Sequence, residues 1–464
     1  MKGIILFISS LLIVVFAHGQ ATLKRLDDAV KSLENDSQMI SAILGFYVVN
    51  QKTGEAVYNK NSKIGFAVAS SQKVITSTAS LELLGGNYRY KTELAYDGKI
   101  DNGVLNGNVF LIGYGDPTLG SGRYNNTKEQ SVLNEWTTSF EKIGIKKVNG
   151  NLIGYDKNWD SQTIPGGWIW DDIGNYYGAG VSALNWRENQ YDLKLRSGKT
   201  GDKVSIVTTV PKLYDVTLIP ELVAGKPGSG DNGFIYLPPY TNIGFVRGTI
   251  PPNESSFTIA GSFPNPSFQL TSTLADALKA KGIDIKMAVN SGFESLLYKT
   301  RLQKNVSILV THYSPPLDSI NYWFLKRSIN LYGEDLVKTL GYEKKRTGST
   351  DSGISVIKGF WKSNGVDPSS INMIDGSGLS PQNRITPEAL VKVMQYARTR
   401  PWFNSFNNAL PEINGIKMKS GTIGGAKSFT GYFGGYTFAI IVNNYSGSSA
   451  EIVRKLYKVL DVLK

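Results

Sequence analysis

From Tyr88 to about Val289 the chain breaks into many short β-like runs divided by Gly, Asn and Pro, as in Gly107-Asn108-Val109-Phe110-Leu111-Ile112-Gly113. Both flanks read differently. Before this region, Leu23, Leu26, Val30 and Leu33 have helical spacing, and Ala42 to Asn50 reads as a strand turned back by Gln51-Lys52-Thr53-Gly54 into Glu55 to Tyr58. A helix from about Ser70 to Leu84 follows, stopped by Gly85-Gly86. After it, helical character returns at Leu274 to Gly282, from Leu317 through Leu340 and from Pro387 to Arg398. Phe433 to Asn443 then forms two β runs around a glycine turn, and Glu451 to Leu463 closes the chain as an amphipathic helix. Helices and a sheet at both ends of a β-rich middle imply an α/β (α+β) domain split by an insertion. Pro211 to Pro266, richest in Pro, Gly and Asn, suggests a module nested within that insertion.

Length agrees with this division, because 464 residues exceed what one hydrophobic core usually serves. Met1-Lys2, the apolar run Gly3 to Ala17 and the small residues around Ala17-His18-Gly19 read as a secretory signal over residues 1–19, cut before Gln20. No later stretch approaches the ~20 apolar residues of a transmembrane helix, so the expectation is an exported protein without a membrane span after cleavage. The chain has no cysteine, which excludes thiol catalysis, disulfides and lipid attachment at an N-terminal cysteine. Export without disulfides points to a bacterial envelope or periplasm. Only His18 and His312 are present, so histidine-rich metal sites are excluded and a Ser-His-Asp arrangement could use His312 alone. The formal charge of +12 favours anionic surroundings. No dense Lys/Arg run with interleaved aromatics points to nucleic acid, and a polyanionic wall polymer fits an exported protein better.

Three short motifs carry candidate chemistry. In Ser70-Ser71-Gln72-Lys73 a hydroxyl and an amine three residues apart share a face if the stretch is helical, giving Ser70 a local base in Lys73. Ser139-Phe140-Glu141-Lys142 matches the same pattern, so the motif alone does not choose between them. Ser328-Ile329-Asn330 can aim a hydroxyl and an amide into one cleft. Lys419-Ser420-Gly421-Thr422, on what reads as an edge strand before Phe429, offers a cation, hydroxyls and a glycine, a slot for a carboxylate and an extended backbone. Their order, Ser-x-x-Lys, then Ser-x-Asn, then Lys-Ser/Thr-Gly, is the set found in penicillin-binding proteins and serine β-lactamases.

With these motifs, Tyr114 to Leu119, Tyr177 to Leu184, His312 to Leu317 and Asp375 to Ser380 followed by Asn383 to Pro387, the chain resembles the D-Ala-D-Ala carboxypeptidase/endopeptidase family of low-molecular-mass penicillin-binding proteins. The resemblance covers nearly the whole mature chain. It implies a transpeptidase/β-lactamase-like catalytic domain at 20–86 and 300–464, an inserted domain at 87–205 and 267–299, and a nested small β domain at 206–266. It implies that Ser70 attacks the carbonyl between the two terminal D-alanines of a peptidoglycan stem peptide, with Lys73 as base, Ser328 as proton relay, Asn330 as positioning group and Lys419 as electrostatic support. Ser420 and Thr422 would hold the terminal carboxylate beside Gly421, and the oxyanion would lie between the N–H groups of Ser70 and Thr422.

The resemblance also implies that Asp172, with Tyr177 five residues on, meets the free amino end of diaminopimelate. Pro381 stands where an arginine often does, so a neighbouring carboxylate contact would need Arg384. Peptidoglycan peptides and β-lactam antibiotics are the expected partners, with no cofactor, metal or nucleic acid. Oligomeric state and the balance of carboxypeptidase and endopeptidase action stay open. A serine β-lactamase and a non-catalytic cell-wall-binding scaffold are the alternatives. His312 is expected to be structural, Asp116 to stabilise the turn before Pro117, and the Asp375–Ser380 loop to be architectural.

Overall fold

The computed structural model of the protein describes residues 22–290 and 305–464. The expected signal at 1–19 and the expected boundary at 299/300 lie outside the described residues. The chain forms two compact units: Met1–Leu81, Asn321–Ser328 and Ile357–Lys464 make one, and Glu82–Ile320 with Ile329–Val356 make the other.

The first unit is built on a six-stranded antiparallel sheet, in the order Glu412–Ile413, Ile416–Ile423, Ala426–Phe433, Tyr436–Asn443, Ile43–Asn50 and Ala56–Lys60. Alternation along the strands gives it two apolar faces. On one, Phe46, Val48, Met418, Phe438, Ile440 and Val442 pack with Leu26, Val30 and Leu33 of the helix at 22–34 and with Ile452, Leu456 and Val459 of the helix Ser449–Leu460. On the other, Gly45 leaves room for the Phe66 ring and for Pro387, which opens the helix Pro387–Arg398; a Cβ at Gly45 would stand 2.5 Å from that ring.

The segment carrying Ser70 departs from the expected single helix. Ala69–Gln72 is a 3₁₀ turn, and the α-helix runs from Lys73 to Leu84. The cause is Ala69, whose φ of +47° turns the chain sharply into the helix. Likewise the helical stretch read from Leu317 through Leu340 is two helices, Leu317–Lys326 and Asn330–Lys345, broken where Ser328 takes φ +57°. The helix Thr350–Ser363 has no counterpart in the sequence reading.

The second unit centres on a seven-stranded mixed sheet ordered Ser307–Tyr313, Lys91–Tyr96, Val109–Gly113, Lys147–Tyr155, Val104–Asn106 and Lys99–Asp101, with Asp284–Asn290 also pairing Lys147–Tyr155. The helices Glu129–Lys142 and Pro266–Ala280 cover it through Val132, Trp136, Phe140, Leu270, Leu274 and Leu278. Glu129–Lys142 is an addition to the mainly β reading of this region. Thr217–Ala224, Ile243–Ile250 and Asn232–Tyr236 form a small sheet of their own. Phe257–Ser262 and Ser205–Val210 instead flank Gln190–Arg196, so strand pairing ties the ends of the 206–266 segment to a strand before it. Among the described residues no helix is long and apolar enough to cross a membrane.

Candidate active site

Ser70 lies in the middle of the 3₁₀ turn, partly exposed, while Ser71, Gln72 and Lys73 are buried. Lys73 Nζ donates to Ser70 Oγ at 2.9 Å and to the Ser377 carbonyl at 2.7 Å, and it sits 5.9 Å from the centre of the Phe324 ring. An amine pinned between a carbonyl and a hydroxyl cannot swing away, so the serine and lysine are held as a pair. Ser328, on the left-handed turn that ends the helix carrying Phe324, is partly exposed.

The strand Ile416–Ile423 supplies the third motif. Its outer neighbour, Glu412–Ile413, pairs only with Ile416 and Lys417, leaving the edge from Lys419 to Ile423 without a partner strand among the described residues. Gly421 brings this edge against the nucleophile turn: a Cβ there would stand 2.2 Å from the Val68 carbonyl oxygen and 2.9 Å from the Ser70 backbone nitrogen. Two serines fasten the approach. Ser71 Oγ lies 2.7 Å from Ser428 Oγ and donates to the Lys419 carbonyl at 3.2 Å, and Ser428 Oγ donates to the Val68 carbonyl.

Lys419 is buried and donates to the Ser420 carbonyl at 2.9 Å. Burial pushes its amine well below the usual lysine range, and the charges of Lys73 and Lys427 push it further. Ser420 is partly exposed and Thr422 exposed.

The Asp375–Ser380 loop, expected to be architectural, is what holds the Ser377 carbonyl. The Asp375 carboxylate accepts from the backbone of Gly378 at 2.8 Å and of Ser380 at 2.6 Å, from Asn383 Nδ2 at 2.9 Å and from Gln72 Nε2 at 3.2 Å. Gln72 also donates to the Asp375 carbonyl, and Thr76 Oγ1 to the Gly376 carbonyl. Gly378, at φ +82°, presses on the Ala69 carbonyl so closely that a Cβ would lie 2.0 Å away. The Asp-Gly-Ser-Gly run favours a tight carboxylate-pinned turn.

Asn330, Asp172 and Tyr177 lie in the second unit. Asn330, at the start of the helix Asn330–Lys345, donates through Nδ2 to the Tyr177 carbonyl at 2.8 Å. Asp172 and Tyr177 share one tight loop in which the Asn175 N–H donates to the Asp172 carbonyl and the Gly178 N–H to that of Asn175. Gly178 is required there, since a Cβ would meet the Asp172 carbonyl oxygen at 2.0 Å. Burial, then the charge of Asp171, pushes the Asp172 carboxyl up to about 6, and burial, then Asp172, pushes the Tyr177 phenol up to about 12. Asn330, Asp172 and Tyr177 thus form one group.

Ser139, His312, Asp116 and Arg384 each have local partners. Ser139 is buried in the helix Glu129–Lys142, its hydroxyl spent on the Trp136 carbonyl at 2.6 Å. His312 is buried with Nδ1 2.6 Å from a Glu135 carboxylate oxygen. Asp116 accepts from the Thr118 N–H and hydroxyl, tightening the turn at Pro117. Arg384 donates to the carbonyls of Pro381 and Asn383.

The chain is 25% identical over 465 residues to the D-alanyl-D-alanine carboxypeptidase of Actinomadura sp. (strain R39), covering 94% of this chain and 84% of the relative. It is 24% identical over 355 residues to the D-alanyl-D-alanine carboxypeptidase DacB of Haemophilus influenzae, covering 76% and 70%. The crystal structure of penicillin binding protein 4 (dacB) from Haemophilus influenzae superposes with a TM-score of 0.79 at 20% identity, over 94% of this chain and 99% of that one, so the two share a fold. The D-Ala-D-Ala carboxypeptidase 3 (S13) family matches residues 26–434. The chain belongs to this family and is a serine-type D-Ala-D-Ala carboxypeptidase.

Proposed function

We propose that the protein cleaves the terminal D-Ala-D-Ala bond of peptidoglycan stem peptides through a Ser70 acyl-enzyme, and that it also acts as an endopeptidase on D-Ala cross-links. The observation that carries this reading is the Lys73 Nζ to Ser70 Oγ contact at 2.9 Å beside an open strand edge that Gly421 brings up to the Ser70 nitrogen. A neutral Lys73 can keep one N–H on the Ser377 carbonyl while its lone pair takes the Ser70 proton. The Ser70 oxygen adds to the D-Ala carbonyl, and the oxyanion is held by the N–H groups of Ser70 and Thr422. The C–N bond then breaks, Ser328 passes a proton to the leaving D-alanine amine, and water later hydrolyses the ester.

Lys419 supports the electrostatics, and the Ser420 and Thr422 hydroxyls hold the carboxylate beside Gly421. Asn330 keeps the role of positioning Lys73 and the substrate amide, and Asp172 and Tyr177 keep the substrate-facing roles, that family resemblance gives them. The first compact unit is the catalytic domain in this reading, and the protein works after export, in the periplasm or envelope. A solved relative, the Haemophilus influenzae penicillin binding protein 4, is complexed with a β-lactam, which supports penicillin as an acylating inhibitor here.

Purified protein incubated with monomeric and cross-linked muropeptides, with products identified by mass spectrometry, tests both activities. Release of D-alanine from pentapeptides and splitting of dimers are expected, and both should vanish in Ser70→Ala and Lys73→Met. Prompt turnover of a chromogenic cephalosporin would make the protein a β-lactamase instead. Failure of fluorescent penicillin to label the wild type would leave the scaffold reading.

A further inference from the structure

Lys427 belongs to none of the three motifs, yet the fold delivers it to the third. The Gly424-Gly425 turn closes the hairpin between Ile416–Ile423 and Ala426–Phe433, and the register sets Lys427 directly opposite Thr422. Side chains at facing positions leave the sheet on the same side. Here the Lys427 ammonium donates to Thr422 Oγ1. Lys427 is partly buried, its Nζ lies 6.0 Å from the Phe429 ring centre, and its charge is close enough to contribute to the depression of the Lys419 amine.

This contact fixes the polarity of the hydroxyl. A hydroxyl that accepts from an ammonium has its own hydrogen left to donate, which is what a carboxylate oxygen needs. The two remaining N–H bonds of Lys427 add a second, charged donor next to it. Together they suit an anionic chain end laid along the open edge from Lys419 to Ile423, and they offer a carboxamide or ester much less, because neither carries the charge.

We infer that Lys427 is a specificity-determining residue that, with Thr422, selects substrates ending in a free carboxylate over those whose terminal carboxyl is amidated or esterified. This rests on the proposed carboxylate-holding role of Ser420 and Thr422. It gives the strand a discriminating cation at its open end, distinct from Lys419, whose buried amine is turned to the Ser420 carbonyl.

The test compares steady-state hydrolysis of an Nα-acylated D-Ala-D-Ala peptide with that of its C-terminal carboxamide, in wild type, Lys427→Gln, Lys427→Met and Lys427→Arg. For the acid, KM should rise about tenfold in the Gln and Met variants, and for the amide change less than about twofold. Arginine, which keeps charge and donors, should recover most of the preference. Far-UV circular dichroism and the melting temperature report that each variant is folded. An acid-to-amide ratio unchanged in Lys427→Gln, with an active wild type, overturns the inference and leaves the carboxypeptidase reading standing. A wild type that neither cleaves the acid nor binds penicillin overturns that reading and this inference with it.

Discussion

Asp172 is a carboxylate placed where ionising costs something. Burial, then Asp171, moves its carboxyl up to about 6, so it is anionic only above that value. A stem peptide held through a free ammonium should lose the contact as pH falls, with KM rising about tenfold one unit below the Asp172 value. The same peptide without the amine, or the Asp172→Asn enzyme, should show a flat KM, and a flat wild-type profile would count against the role. The stability sign is the reverse of the usual carboxylate case. The folded protein holds a proton between about pH 4 and pH 6 that the unfolded chain has already released, so a penalty absent below about pH 4 is complete above about pH 6. With Asp172 partly exposed the penalty is on the order of 1 kcal/mol, which Asp172→Asn should recover at neutral pH as a higher melting temperature. Asp375 presents the opposite situation, since its carboxylate is saturated by Gly378, Ser380, Asn383 and Gln72. Asp375→Ala leaves those buried donors unsatisfied at a cost of about 2–4 kcal/mol. The denaturant midpoint should drop accordingly, and the penicillin acylation rate should fall because the Ser377 carbonyl no longer fixes Lys73.

The elements that bear the site differ in how far sequence reveals them. The Gly424-Gly425 hairpin is legible, because a two-residue glycine turn between apolar runs fixes the register, and from that register Thr422 faces Lys427 without further information. Ser70 and Lys73 are legible for the same reason, as three residues of any helical turn bring them together. The 3₁₀ turn at Ala69–Gln72 is not, since Ala69 owes its left-handed backbone to a setting that includes Gly378, some three hundred residues away. The helix Glu129–Lys142 departs from the mainly β expectation, although Val132, Leu133, Trp136 and Phe140 have helical spacing, because the short β runs around them mask it. Gly421 carries a prediction at this scale. Alanine there would force the strand away from the Val68 carbonyl and the Ser70 nitrogen, so Gly421→Ala should slow penicillin acylation at least about a hundredfold while near-UV circular dichroism stays unchanged. Acylation at the wild-type rate would show that the strand edge does not need to approach Ser70 so closely.

For the whole molecule, the decisive fact is that the core behind the sheet bearing Lys419 is assembled from the two ends of the chain. Leu26, Val30 and Leu33 near the start pack with Ile452, Leu456 and Val459 near the finish, and the strand Ile43–Asn50 pairs with Tyr436–Asn443 along its full length. This closure is legible from pattern alone, because helices and strands of one type reappear after the β-rich middle. The residues that meet across it were not legible, since periodicity gives a buried face but not its partner. Contacts spanning most of the chain can form only after almost all of it is made, and they cost loop-closure entropy before they return anything. The helix Ser449–Leu460 buries Ile452, Leu456 and Val459 in that core, so its loss is expected to disturb the sheet that bears Lys419. Leu456 is fully buried, and Leu456→Asp places an unpaired carboxylate in that core, a change expected to cost more than about 4 kcal/mol. Fluorescent penicillin labelling should be lost in this variant and in a chain stopped after Gly447, whereas Glu451→Ala, at an exposed position of the same helix, should label like the wild type. Full labelling of the shortened chain would mean that the sheet and the Ser70 turn hold together without the closing helix.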